Sequence, residues 1–239
     1  MAFSSVAATA TSTVTSNSTS HTVQMPSGRP YAVGTLIIIR FAVDSGTGVT
    51  WPSGTDDGFI GYFGLNHEGD IRLAIAYRRA NGNEPDTVTV TTSSSQKSAH
   101  ISKRYQDHED PDTQAPESST GNAQDNNGNP NPDSITPTGG PKDFLYAAVC
   151  ASDDNKTMNS GPSGFANFLT VKEGSGAGCV CSYADLQENS SSQDPGTFSL
   201  ASNQESVACT DAVHPVAVAG VHQPQPWRLK GQAGAILTQ

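Results

Sequence analysis

The chain has 239 residues and a formal net charge of −10, with 34% hydrophobic, 7% aromatic and only 15% charged residues. An acidic surface repels phosphates, and no basic stripe with interleaved aromatics offsets it, which argues against a nucleic-acid partner. The apolar fraction is low for a large core, while the abundance of Ser, Thr, Gly, Asn and Pro favours strands and turns over helices.

Residues 1–20 are almost entirely Ala, Ser, Thr and Val. The run 6–14 is compatible with an edge strand or an extended arm, and the expectation is an extended N-terminal arm that orders against a partner subunit. The first six residues lack a basic segment followed by an apolar run, so no secretory signal is read there. The longest apolar stretch, 35–43, is interrupted by Arg40 and falls far short of the roughly 20 residues a spanning helix needs. No membrane partner is expected, and assembly in a cytoplasm is.

Strands are predicted at 21–25, 35–43, 59–65, 71–78, 87–92 and 99–105. The segments around Ile71-Arg72-Leu73-Ala74-Ile75 and Thr87-Val88-Thr89-Val90 alternate with period two, as half-buried strands do. Asn81-Gly82-Asn83-Glu84-Pro85-Asp86 between them reads as a turn. Residues 107–133 are acidic, Asn/Pro-rich and nearly free of large apolar side chains, which predicts a solvated loop. A calcium loop is the sharper reading of that segment, but Asp125, Asn127 and Asn129 are followed by Pro130 where the motif requires Gly. Beyond it, strands are predicted at 144–150, 165–171, 178–186, 197–201 and 207–213. Gly174-Ser175-Gly176-Ala177-Gly178 reads as a hairpin turn, since it lacks the Lys and the helix of a phosphate loop. Residues 216–239 form a C-terminal tail whose Trp227, Leu229, Ile236 and Leu237 need a surface to cover them.

The two strand series repeat at an offset of about 110 residues. Pro26-Ser27-Gly28-Arg29-Pro30 is matched by Pro137-Thr138-Gly139-Gly140-Pro141, Leu36-Ile37-Ile38-Ile39 by Leu145-Tyr146-Ala147-Ala148-Val149, Pro52-Ser53-Gly54 by Pro162-Ser163-Gly164, and the run from Glu84 to Val90 by the run from Asp194 to Leu200. Punctuation recurring in one order predicts one block of strands used twice. The expected fold is an all-β, antiparallel β-sandwich, jelly-roll-like, built from two pseudo-repeated halves at about 21–110 and 134–215. The halves share one core within a single unit at 21–215.

No nucleophile, base and orienting group assemble in the sequence, so no catalytic residue, no cofactor-binding residue and no metal ligand is assigned. Ser160-Gly161-Pro162-Ser163-Gly164 comes nearest to a nucleophile motif, but it belongs to the repeat and reads as a structural turn. Asp56-Asp57 and Asp153-Asp154 are neighbours that point apart on a strand, and read as solvated turn residues. Trp51, Tyr62 and Tyr77 are read as core aromatics, with a carbohydrate site as the alternative. Cys150, Cys179, Cys181 and Cys209 lie in apolar strand runs and read as buried reduced thiols; a metal site is the alternative, though no His stands at a supporting spacing. The sequon matches at Asn17, Asn155 and Asn189 are expected by chance in so Ser/Asn/Thr-rich a chain.

Four segments carry a resemblance: Pro137 to Val149, Gly161-Pro162-Ser163-Gly164-Phe165, Gly178-Cys179, and Gln193-Asp194-Pro195-Gly196-Thr197-Phe198-Ser199-Leu200. Together they resemble a family of β-rich virion proteins of tailed bacteriophages. Asp143 and Leu145 match a Trp-Gly-x-x-Asp-x-Leu element in which Gly139 stands where the family has Trp. Phe165 replaces the aromatic of a Pro-x-x-Tyr turn, and Asp194 to Phe198 match an Asp-Pro-Gly-Thr-Phe strand entry. The resemblance implies a non-enzymatic virion structural protein. The leading expectation is decoration or cementing of the outer capsid by binding the major capsid protein and neighbouring copies of itself, as a homotrimer. A tail or fibre protein that binds a host surface glycan is the alternative.

Overall fold

The computed structural model describes residues 2–67, 69–125, 128–154, 156–174 and 178–217, and among these there are strands and turns but no helix. The first half contributes β1 (Ser5–Gln24), β2 (Leu36–Asp44), β3 (Val49–Thr50), β4 (Ile60–His67), β5 (Ile71–Arg79) and β6 (Thr87–Gln106). The connection carries β7 (Glu117–Ser118) and β8 (Asn122–Gln124). The second half contributes β9 (Lys142–Asp153), β10 (Met158–Ser160), β11 (Ala166–Lys172), β12 (Cys179–Ser190), β13 (Ser199–Leu200) and β14 (Ser206–Val213).

All pairings are antiparallel. One sheet has the order β1-β6-β2-β5-β4 with β3 also on β6; the other has the order β11-β12-β9-β14-β7 with β8 also on β14; β10 and β13 form a separate pair. The repeat is visible in this wiring, because β6-β2-β5-β4 and β14-β9-β12-β11 are the same arrangement of corresponding strands. It extends to details. A register irregularity between Gly61 and Phe63 in β4 recurs between Ala166 and Leu169 in β11. The Ser93 N–H donates to Gly48 O at 3.0 Å, and the Ala201 N–H donates to Thr157 O at 2.9 Å in the corresponding place.

The antiparallel sandwich expected from the alternation is therefore present. Its wiring is simpler than that of a jelly roll, since each half stays within its own sheet and the chain passes from one sheet to the other through the 107–141 segment. Period-two alternation places Leu36, Ile38, Ile71, Leu73, Ile75, Ala99 and Ile101 on the inner face of the first sheet. They pack against Leu145, Ala147, Val149, Cys179, Cys181, Val207 and Cys209 from the second. One apolar cluster thus draws on both halves. A second cluster, with Ile37, Ile39, Phe41, Val43, Phe59 and Val90, fills the outer face of the first sheet. It forms because the long β1–β6 ribbon bends: register shifts interrupt it between Val14, Ser18 and Ser20, and His21 and Val23 beyond the bend are buried.

One expectation is corrected and another is given detail. Residues 1–20 do not wait on a partner subunit to become ordered; the edge-strand reading is the one observed, with β1 lying along β6 from Ser5↔Gln106 to Gln24↔Thr87 as the edge of the first sheet. The ladder of backbone hydrogen bonds holds a Ser/Thr-rich strand that has little apolar surface of its own. Residues 107–133 do connect the halves, and they are held to the sandwich at several points. Asp110 accepts two hydrogen bonds from Arg79 at 2.7 and 2.8 Å, and β7 and β8 both pair with β14. The tail residues Trp227, Leu229, Ile236 and Leu237 lie outside the described residues.

Candidate functional site

On one side of the sandwich the edge strands β1 and β11 lie next to each other, and a lateral groove opens between them. It consists of two adjoining hollows of about 240 and 420 Å³ that share Val6, Asn167 and Asp185. Its rims are Ser5, Val6 and Thr9 from β1 and Asn167, Phe168 and Leu169 from β11. Phe168 is 36% exposed, one of the few large apolar side chains at the surface. Asn167, inside the β11 irregularity, has φ +51°, a left-handed backbone that Asn tolerates better than most residues.

The floor of the groove is polar and tied down. Asp185 accepts from Asn167 Nδ2 at 2.7 Å and from the Tyr183 hydroxyl at 2.9 Å. The Lys103 ammonium lies 3.7 Å from the Tyr183 ring centroid and donates to Thr9 Oγ1 at 3.3 Å. Burial and the nearby Arg40 charge lower the Lys103 pKa to about 8, with Asp185 acting the other way. Lys103 and Asp185 are only 3% and 5% exposed, so a visitor to the groove meets the rims before the floor.

Behind Tyr183 lies a second polar group. Arg40 sits 4.7 Å from the same ring, donates to Asp211 Oδ2 through Nε at 3.2 Å and Nη2 at 2.9 Å, and to the Tyr105 hydroxyl through Nη1 at 2.9 Å. Both charged side chains are wholly buried. Burial opposes the Arg40 charge, but Tyr105, Asp211 and Tyr183 outweigh it and the guanidinium pKa rises. Strand parity explains the arrangement. Arg40 follows Leu36 and Ile38 on the inner face of β2, Lys103 follows Ala99 and Ile101 on β6, Asp185 follows Cys181 and Tyr183 on β12, and Asp211 follows Val207 and Cys209 on β14. These residues face inward because their strands do.

A third group lies on the bent ribbon. Ser12 Oγ is 2.9 Å from His100 Nδ1, His100 Nε2 is 2.7 Å from Ser98 Oγ, Ser98 Oγ is 2.6 Å from His21 Nδ1, and His21 Nε2 is 2.9 Å from Thr92 Oγ1. His100 stacks on Phe41 with centroids 4.8 Å apart. Ser98 stands between two histidines, but all three residues have 0% exposure, so this hydroxyl is a bridge within the fold.

At one end of the sandwich the carboxyl groups of Asp44 and Asp153, the last residues of β2 and β9, lie close enough to interact. Burial, then the neighbouring carboxylates, push Asp153 up to about 7, and burial also raises Asp44. Glu173 close by is buried and pairs with Lys97 at 3.5 Å. Among the described residues no group of three or more His, Cys, Asp or Glu side chains is arranged to hold a metal ion.

The residues singled out in the sequence are dispersed by the fold. Trp51 packs on Phe41 and Phe59, and Tyr62 on Tyr77 at 5.8 Å, so these aromatics serve packing. The Phe165 N–H donates to Pro162 O at 3.2 Å, closing the Ser160 to Gly164 segment as a turn. Asp56 accepts from Asn81 at 2.8 Å in an exposed turn. Asp125 at the edge of the proposed calcium loop pairs with His67 at 2.7 Å; Asn127 lies outside the described residues. Asn17 and Asn189 lie on β1 and β12, and Asn155 lies outside the described residues. Comparison with protein-family models, with curated proteins and with solved structures returned no match.

Cys150, Cys179, Cys181 and Cys209 are all free and buried, and burial pushes their thiols up, Cys181 to about 12. A thiolate is the reactive form. The folded protein is therefore expected to resist Ellman's reagent and to release all four thiols once unfolded in guanidinium. Rapid labelling of the folded protein would contradict this packing.

Proposed function

We propose that the protein is a non-catalytic structural component of a bacteriophage virion that stands on the capsid exterior and binds the major capsid protein. The observation that carries this reading is where the ionisable groups lie. The Arg40–Asp211 pair, Lys103, and the His21–Ser98–His100 chain are spent inside the sandwich on one another. What the sandwich presents outward is Ser/Thr/Asn-rich and acidic, a surface suited to contact and solubility rather than to chemistry. Clasping a shell stabilises it through buried area and mass action and asks no catalytic group of the protein. The resemblance of 137–149, 161–165 and 193–200 to virion proteins points the same way.

Counting copies per purified particle by quantitative mass spectrometry tests this. Copies on the order of hundreds, as a shell of repeated subunits requires, support the capsid reading. A few to a few dozen copies would favour a tail protein that binds a host glycan, and absence from the particle would overturn both.

A further inference from the structure

We propose that the β1 side of the sandwich is an interface for a second copy of this chain, formed by antiparallel pairing of β1 with its mate across a two-fold axis. An edge strand exposes a row of backbone N–H and C=O groups, and natural proteins blunt such edges with charges, proline or short length. β1 is long and has no formal charge or proline, and its bulges, another common guard, lie outside 8–14. From Ser5 to Gln24 it contains no Asp, Glu, Lys, Arg or Pro over 20 residues, in a chain of net charge −10. Among the described residues no strand pairs with its outer edge. Register shifts bend it at either end, but from Ala8↔Arg104 to Val14↔Ser98 its pairing with β6 runs without interruption. That stretch is a straight, uncharged template.

The other layer repeats the pattern. β11 lies at the same side of the sandwich and is uncharged from Ala166 to Val171, and it carries the exposed Phe168. The other edges differ: β4 is as uncharged as β1 up to His67, but it is only eight residues long and the connecting segment comes up against it at Gly121, beside Phe63 and Leu65, while β7 is two residues long and carries Glu117, paired to His214. An isologous contact makes one patch serve both partners, so an axis through the groove brings β1 to β1 in one layer and sets β11 beside its mate in the other. Antiparallel pairing centred on Thr11 sets Thr11 opposite Thr11 and Thr9 opposite Thr13, which form favourable cross-strand pairs, with Ala10 opposite Ser12 and Ala8 opposite Val14 between and beyond them. Copies carrying a strong negative charge repel each other elsewhere on their surfaces, and this neutral edge is where they can meet. A shared edge calls for a two-fold axis, where the resemblance to virion proteins implies a homotrimer.

Sedimentation velocity on the full chain over a roughly hundredfold range of concentration tests the interface. The wild type is expected to dimerise. Thr11→Lys and Thr11→Glu place like charges face to face at the axis and should each weaken dimerisation roughly five- to tenfold. Phe168→Asp should weaken it similarly, while Thr89→Lys, exposed on the distal part of β6, should leave it unchanged. Hydrogen exchange of the 8–14 amides in the wild type should slow as concentration rises, a readout that does not depend on any variant folding. A wild type that stays monomeric, a trimer, a dimer indifferent to the Thr11 and Phe168 changes, or exchange at 8–14 independent of concentration would each overturn the proposal.

Discussion

Asp211→Ala is expected to cost about 3–5 kcal/mol of stability, the range found when one partner of a buried ion pair is removed. In the folded protein Arg40 has 0% exposure, and its Nε and Nη2 both donate to Asp211 Oδ2. Without that carboxylate the guanidinium keeps its place over Tyr183 and its bond to Tyr105, but its charge faces an apolar cluster with no counter-charge. Arg40→Met together with Asp211→Leu removes both charges at similar volume and should recover most of the loss. Urea unfolding at neutral pH of the two variants against wild type measures both effects. Equal loss in the single and the double variant would show that packing, and not the orphaned charge, sets the cost.

This pair also marks where sequence reading stopped short. The inward face of β2 reads Leu36, Ile38, Arg40, Ala42, that of β6 Ala99, Ile101, Lys103, Tyr105, and that of β14 Val207, Cys209, Asp211, Val213. One charge stands in each apolar series, which is the signal that could have placed Arg40, Lys103 and Asp211 in the core. By itself Arg40 reads only as an interruption of an apolar run. The repeat was legible because Pro and Gly mark its turns in both halves, and the repeat could have been pressed further. Asp44 and Asp153 close β2 and β9 at the same offset that relates Leu36 to Leu145, so corresponding positions meet as a carboxyl pair. The sequence of β1 admits both an edge strand and an arm because its residues carry little hydrophobic signal; what holds it is the β6 backbone, about which a side-chain pattern says nothing. β6 was read as two strands because residues 93–98 are polar, although the backbone runs on through them and bends. The groove between β1 and β11 depends on which sheet edges end up side by side, a long-range consequence of the topology that no local pattern contains.

Acid is expected to destabilise the protein through His100, and the sign follows from which state takes up the proton. His100 is buried against Phe41, and burial, followed by the nearby His21, lowers its pKa from 6.5 to about 3. Between those values the unfolded chain binds a proton at this position and the folded chain does not. The stability His100 allows is therefore complete above pH 6.5 and is lost as pH falls toward 3, at about 1.4 kcal/mol per pH unit. Asp153 works in the opposite direction: its folded pKa of about 7 stands above the usual carboxylate value, so it favours the folded state as pH drops through that region and masks part of the histidine effect. A single wild-type profile cannot separate the two, whereas a variant can. In His100→Phe the ring still stacks on Phe41, Ser98 keeps His21 as its partner, and Ser12 still accepts from the Gln24 N–H at 3.0 Å. The variant should be somewhat less stable at pH 7, yet its stability between pH 6 and 4 should fall less steeply than wild type by about 1.4 kcal/mol per pH unit. Parallel profiles for the two proteins would mean that His100 takes up its proton inside the folded sandwich.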